Sequence, residues 1–210
     1  MQLTNEWYYF AGVIDKKTCN KLIDLGDEFT DKVQVNSHEE TTEEERETGI
    51  KVSHKSNINE RVSDIKWLDN QWVYDLIFPY MKTANKNAGW NFDIKSAETP
   101  QLTKYKKEGF YNWHGDGRAD HFSVYTSSEN KLLNGYARKL SMSILLNEDF
   151  NGGKFQFANI YSGKRKILMP EFKGTGSVIV FPSFMQHRVT PIKKGIRYSL
   201  VAWFLGPPFK

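Results

Sequence analysis

Residues 177–204 read SVIVFPSFMQHRVTPIKKGIRYSLVAWF, and this stretch decides the architecture. Runs rich in Val, Ile and aromatic residues at 177–181, 187–190 and 196–204 are separated by Pro182-Ser183 and Lys194-Gly195, residue types that interrupt strands and turn the chain. The same texture extends backward, with strand candidates at 101–107, 140–147 and 154–157 and turn signals at Asn151-Gly152-Gly153 and at Gly174 with Gly176. Many short strands at close spacing predict a barrel or a two-sheet jelly roll.

The first hundred residues differ. Residues 7–13 are aromatic and β-branched and predict a strand. A helix should follow: Asp15 is a good N-cap, Ile14 and Cys19 can form a hydrophobic staple, Cys19, Leu22 and Ile23 share a face, and Gly26 is a stop signal. A second helix is written in Trp72, Val73, Leu76, Ile77, Tyr80, Met81 and Ala84, opening at Asp69 or Asn70 and closing before Gly89, with Pro79 a candidate kink. Its stripe reads as core packing rather than a binding feature. Helices that precede the strands should brace one face of the barrel. The expectation is one domain, 1–210, mainly β with supporting α: strand and helices within 1–100, a jelly-roll core over 101–206. Residues 33–60 include HEETTEEERE (38–47), acidic and without apolar period; they read as a solvated loop or poorly packed hairpin, or as a mobile flap over an active site.

Composition narrows the class. At 210 residues, 39% hydrophobic and 26% charged, the chain can bury a full core, and its 14% aromatic content suits strands. No apolar run approaches the ~20 residues of a membrane span, and MQLTNEWYYF lacks signal-peptide character, so a cytoplasmic location is expected. The single cysteine, Cys19, excludes an internal disulfide framework; with no basic or histidine neighbour in sequence it reads as a small core residue rather than a nucleophile. The net charge of +4 comes with scattered lysines, which argues against a nucleic-acid partner.

The chemistry is carried by Tyr111-Asn-Trp-His114-Gly-Asp116. On a strand, positions i and i+2 share a face, so His114 and Asp116 can meet one metal ion. His-x-Asp alone is weak, but His187 supplies a third ligand after another strong strand. Two histidines and a carboxylate on strands make the facial arrangement typical of Fe(II), although zinc also accepts this set. A lone buried histidine in a core is the plain alternative for His114. Arg197 lies ten residues beyond His187. A tight hairpin over 189–195, centred near Ile192, would bring His187 and Arg197 face to face across paired strands, ~5 Å apart at Cβ. An inward guanidinium on a barrel wall is costly without an anion, and it grips a carboxylate with two parallel hydrogen bonds. The pair therefore predicts an acidic co-substrate, a short dicarboxylate, reaching from metal to arginine.

Taken together, Tyr105-x3-Gly109-x4-His114-x-Asp116, Arg138-Lys-Leu-Ser-Met-Ser-Ile-Leu-Leu-Asn147, Gly152-Gly153, Phe181-Pro-Ser, His187 and Arg197 resemble the prolyl 4-hydroxylase-type branch of the 2-oxoglutarate/Fe(II) dioxygenases, strongly over 101–206 and less specifically at Arg61-Val-Ser63 and Trp67. The resemblance implies a double-stranded β-helix with N-terminal helices. It implies catalytic iron held by His114, Asp116 and His187, and 2-oxoglutarate held at its distal carboxylate by Arg197 and by Tyr105, which otherwise reads as a core aromatic. Trp203 matches a tryptophan near the substrate and Arg138 a substrate-side arginine, with barrel packing and a solvated strand edge as the alternatives. O2 is then the oxidant and ascorbate a candidate reductant. Leu145 stands where oxygen-sensing members carry a tyrosine, and Val201 replaces a polar residue.

The implied reaction hydroxylates a C–H bond while 2-oxoglutarate becomes succinate and CO2. The carboxylate ligand Asp116 leaves no ligand position for a halide, which favours hydroxylation over halogenation. A prolyl residue in a protein or peptide is the leading substrate; another amino-acid residue or a small molecule is the alternative, because fold and triad do not fix it. Nucleobase demethylases of this superfamily carry a second arginine six residues after the first, where this chain has Trp203. A non-catalytic metal-binding barrel is the remaining alternative.

Overall fold

A computed structural model of the chain describes residues 3, 5–26, 31–32, 60–126, 131–161 and 164–209. The stretch read as loop or flap, 33–60, lies outside the described residues except for Glu60. In chain order the elements are β1 (Tyr8–Phe10), α1 (Lys16–Asp24), β2 (Asp31–Lys32), β3 (Arg61–Val62), β4 (Asp64–Trp67), α2 (Gln71–Asn87), β5 (Ser96–Ala97), β6 (Gln101–Tyr105), β7 (Phe110–His114), β8 (Ala137–Leu145), β9 (Phe150–Gly152), β10 (Phe155–Tyr161), β11 (Lys164–Leu168), β12 (Val178–Pro182), β13 (Gln186–Val189), β14 (Ile192–Gly195) and β15 (Arg197–Gly206).

Alternation along the strands builds the layers. An eight-stranded antiparallel sheet runs β1-β12-β8-β15-β6-β4-β2, with β5 attached to β15. Leu102, Leu140, Met142, Ile144, Val178, Val180, Leu200, Ala202 and Phe204 occupy alternate positions on one face and are buried with Cys19 and Leu22 of α1 and Val73, Ile77, Met81 and Ala84 of α2. The opposite face carries Tyr105, Ile179 and Phe181 into a second cluster with Phe155, Phe157 and Val189 of a five-stranded sheet, β11-β10-β13-β7-β3. Helices, large sheet and small sheet thus form three layers. The jelly roll is two facing sheets rather than a barrel closed by hydrogen bonds.

The local signals act as expected. Asp15 caps α1, accepting from Thr18 N at 2.9 Å and Thr18 Oγ1 at 2.7 Å; Ile14 and Cys19 are both buried, and Gly26 N closes on Ile23 O at 2.8 Å. Burial pushes the Cys19 thiol up to about 11, with Asp15 adding to the rise, which suits a core residue and not a nucleophile. Asn70 occupies the N-cap of α2 without a side-chain bond, and Pro79 lies inside a helix that continues past it. No helix among the described residues is long and apolar enough to cross a membrane.

One expectation fails. β13 and β15 do not form a hairpin: β13 pairs with β10 and β7, whereas β15 pairs with β6, β8 and β5. The intervening β14 leaves both and pairs with β9. His187 and Arg197 therefore belong to different sheets. The physical reason is the jelly-roll crossover: Ile192 is buried while Lys193 and Lys194 point outward, so β14 lies flat over Gly152 rather than folding β15 back on β13.

Candidate metal centre and active-site pocket

The two sheets meet around a pocket of about 430 Å³ whose lining includes Arg61, Tyr105, Tyr111, His114, Asp116, His187, Arg197, Ser199, Val201 and Trp203. His114 ends β7 and stands directly opposite His187 of β13. The register between these strands slips just beyond that pair, between His187 and Val189, a bulge of the sort that re-aims side chains beside a site. β7 stops at His114, so Asp116 does not follow it on a strand face as the i, i+2 argument assumed. A turn brings it in instead: Asp116 N and Gly117 N both donate to Ser183 O, at 2.9 and 3.1 Å.

The donor atoms converge. One ligand atom from each of His114, Asp116 and His187 lies within 4.8 Å of the others. His114 Nδ1 is 2.7 Å from Asn112 O and His187 Nδ1 is 2.9 Å from Met185 O. Carbonyl oxygens only accept, so each ring holds its proton on Nδ1 and turns an Nε2 lone pair inward. Asp116 Oδ1 is 3.6 Å from His114 Nε2 and Oδ2 is 3.5 Å from His187 Nε2; Oδ2 is buried with no hydrogen-bond partner among the described residues. Burial alone would raise the Asp116 carboxyl, but His187, His114 and Arg138 outweigh it and hold the group well below the usual range. Burial pushes His187 down to about 4, with His114 adding to the fall. An anionic Asp116 and a neutral His187 are the protonation states metal ligation requires.

Arg197 is 1% exposed, and its guanidinium donates to Ser199 Oγ at 2.9 Å; among the described residues no carboxylate pairs with it. Burial pushes it down to about 10, Tyr105 partly opposing. Tyr105 faces it across β6 and β15, and the guanidinium carbon is 5.7 Å from the Tyr105 ring centre. Gly153 lets β9 approach: with φ +56, a Cβ there would fall 2.4 Å from Ile192 Cδ1 and 3.0 Å from Arg197 Cδ. Val201 lines the pocket, whereas Leu145 lines an adjoining cavity that also touches Arg197.

Trp203 shares the pocket face of β15 with Arg197, and its Nε1 is buried without a hydrogen-bond partner among the described residues. Arg138 lies outside the pocket lining and is not a solvated edge residue. Its Nε and Nη2 grip Glu98 at 2.6 and 2.5 Å, its Nη1 donates to Asp116 O at 3.2 Å, and its guanidinium sits 4.3 Å from the Trp203 ring centre. Tyr125 completes the cluster by donating to Glu98 at 2.8 Å. The sequence offered no signal for Glu98, Tyr125 or Tyr111 as site residues. Tyr111 stacks on His114 with ring centres 3.4 Å apart, and Arg61 covers Tyr111 at 4.7 Å. Arg61 is itself buried, held by Ser63 Oγ and Gln101 Oε1, both at 2.8 Å. A wider groove of about 1170 Å³ adjoins the centre at Asp116, between Gly117, Arg118, Asp120 and Phe122 on one side and Phe184 and Gln186 on the other.

A jelly roll with two histidines and a carboxylate at one end of a pocket, and a buried arginine lining the same pocket, defines a class of mononuclear-metal oxygenases. The profile of the 2OG-Fe(II) oxygenase superfamily matches residues 100–205, half of the chain, and the chain belongs to that superfamily. A PKHD-type hydroxylase of Xylella fastidiosa (strain M12) is 27% identical over 106 residues, 50% of this chain and 43% of that protein. A PKHD-type hydroxylase of Idiomarina loihiensis is 31% identical over 104 residues, 49% of this chain and 39% of that protein. The chain thus spans under half the length of these curated relatives. Among solved structures, a Trichoplax adhaerens prolyl hydroxylase in complex with a hypoxia-inducible-factor peptide fragment superposes with TM-score 0.65 at 16% identity, covering 96% of this chain and 84% of that one. A Pseudomonas putida prolyl-4-hydroxylase gives TM-score 0.58 at 18% identity, covering 96% and 92%. At these identities the likeness establishes the fold.

Proposed function

We propose that the chain is an Fe(II)- and 2-oxoglutarate-dependent dioxygenase that hydroxylates a prolyl residue in a protein or peptide and releases succinate and CO2. The observation that carries this reading is Arg197, a buried guanidinium with no carboxylate beside it among the described residues, lining the same pocket as three converging ligand atoms. The residues fit the implied groups. Asp116 Oδ2 is a buried acceptor with no partner among the described residues, which a cation would satisfy, and Arg197 is a buried donor that a dicarboxylate would satisfy.

In this reading His114, Asp116 and His187 hold Fe(II), while Arg197 and Tyr105 hold the distal carboxylate of 2-oxoglutarate. Iron bound with 2-oxoglutarate and O2 supplies oxidative decarboxylation coupled to insertion of oxygen into a C–H bond. The protein's share is orientation and dryness. The Nδ1 protons on two backbone carbonyls keep both imidazoles aimed, and Phe155, Phe181, Val189 and Val201 exclude water. Trp203 Nε1, without a partner among the described residues, offers a donor to substrate, and Arg138, tied to Glu98, keeps the indole in place. A peptide substrate is supported by the open groove beside Asp116 and by the peptide bound to the Trichoplax prolyl hydroxylase.

Succinate formation from 2-oxoglutarate, with mass spectrometry of cell-extract peptides for one added oxygen on proline, tests this directly. Oxygen on another residue type, or on a small molecule only, would replace the prolyl assignment. His114→Ala, Asp116→Ala and His187→Ala should each abolish turnover with circular dichroism unchanged; full activity in any of them removes the triad.

A further inference from the structure

Strand β8 starts beside the loop that follows Asp116, and its register against β15 slips between Leu140 and Arg138, so Lys139 is an extra, bulged residue and Arg138 and Lys139 make their contacts on different sides of the sheet. Arg138 holds the loop at Asp116 O, on the side occupied by Glu98 and Trp203. Lys139, 3% exposed, works on the other side: its Nζ donates to Pro207 O at 2.8 Å and lies 3.2 Å from the centre of the Phe209 ring. Phe209 packs against Phe92 with ring centres 5.1 Å apart and donates its N–H to Ala119 O at 2.8 Å. Ala119 is fully buried with φ +58, a left-handed backbone that a residue with a Cβ adopts only under outside restraint. The bond from Phe209 fastens the carbonyl of this residue.

Lys139 is an expensive choice for this position. Asp93, the acid that acts on it, is already paired with Lys95 at 2.8 Å, and burial pushes the Lys139 amine down to about 8 against the pull of Asp93. A methionine would fill similar space without desolvating an ammonium. What lysine adds is a donor and a cation over an aromatic face, and both are spent on residues 207–209.

We propose that Lys139 is a positioning residue: by fastening residues 207–209 it holds Ala119 in its left-handed turn and so sets loop 117–120, which carries Asp116 to the metal and walls the adjoining groove. The role of that loop in catalysis rests on the oxygenase reading; the fastening and its effect on the metal centre do not.

The full chain is compared with Lys139→Met, Lys139→Arg and Phe209→Ala, using Co(II) as the probe metal. In Lys139→Met the amides of Phe209 and Gly117 should exchange roughly tenfold faster, while those of β6 and β15 stay unchanged. Its Co(II) dissociation constant should rise roughly tenfold, with an altered d–d spectrum, at nearly constant melting temperature. Phe209→Ala should reproduce both effects, and Lys139→Arg, which keeps donor and charge, should restore much of the affinity. Unchanged Co(II) affinity and spectrum despite faster exchange at Phe209 would overturn the proposal. So would uniform acceleration across β6, β8 and β15, the signature of a purely structural lysine. Because these arms need Co(II) alone, a chain that fails to bind 2-oxoglutarate would defeat the oxygenase reading without touching this one.

Discussion

Arg197 concentrates the argument at the scale of one residue. A guanidinium 1% exposed and bonded to a serine hydroxyl is a poor structural investment, but a good receptor for a carboxylate, whose two oxygens match its planar fork. A charge-assisted bond of this kind contributes roughly 1.5–3 kcal/mol, at ~1.4 kcal/mol per decade. Arg197→Ala should therefore raise the Michaelis constant for 2-oxoglutarate by more than about tenfold, with metal affinity little changed, and Arg197→Lys should fall between. Initial rates of succinate release against 2-oxoglutarate concentration measure this; an unchanged constant ends the co-substrate assignment. The inward arginine was legible in the sequence because of its place in a strongly apolar strand. Arg138 was not legible in the same way, since its partner Glu98 lies 40 residues away in a segment without pattern.

Among the elements, the strands beyond residue 101 were readable and their partners were not. The runs at 177–181, 187–190 and 196–204 all form strands, but the expected hairpin between the last two does not, because β14 crosses to β9. β9, β11 and β14 were missed as strands: Asn151-Gly152 within β9 read as a turn signal, and Lys164-Arg-Lys-Ile-Leu and Ile192-Lys-Lys-Gly carry no alternation of the kind a half-buried strand shows. Helix α2 was the opposite case, with Val73, Ile77, Met81 and Ala84 buried as their spacing required. Since α2 packs on the face of the large sheet away from the pocket, Ile77→Ala should cost roughly 2–5 kcal/mol in urea unfolding while leaving the Michaelis constant for 2-oxoglutarate unchanged. A shift in that constant would mean that the sheet transmits core packing into the site.

For the whole molecule, the consequence of two facing sheets is that the pocket belongs to both. His114 and His187 come from the small sheet, Tyr105, Arg197 and Trp203 from the large one. A ligand bridging metal and arginine therefore ties the layers together and should stabilise the fold as one unit. With Co(II) and 2-oxoglutarate each near 100 times its dissociation constant, each should add about 2.7 kcal/mol, visible as stepwise rises in melting temperature. A chelator should erase both steps, and Arg197→Ala should keep the metal step but lose much of the second. Destabilisation by either ligand would contradict a pocket shared between the sheets.

Legible in the amino-acid order alone were the strand-rich class, both helices with the Asp15 cap, the core face of α2, the three residues whose ligand atoms converge, and one inward arginine. Those features depend on local periodicity, on turn chemistry and on residue types whose burial demands a partner. Visible only in three dimensions are which strands pair, that Asp116 arrives on a turn held by Ser183, that His187 and Arg197 line one pocket from different sheets, and that Arg138 bonds the Asp116 carbonyl while its neighbour Lys139 bonds that of Pro207. Strand pairing and long-range hydrogen bonds join residues far apart in the chain, and no local pattern records which distant partner a side chain will meet.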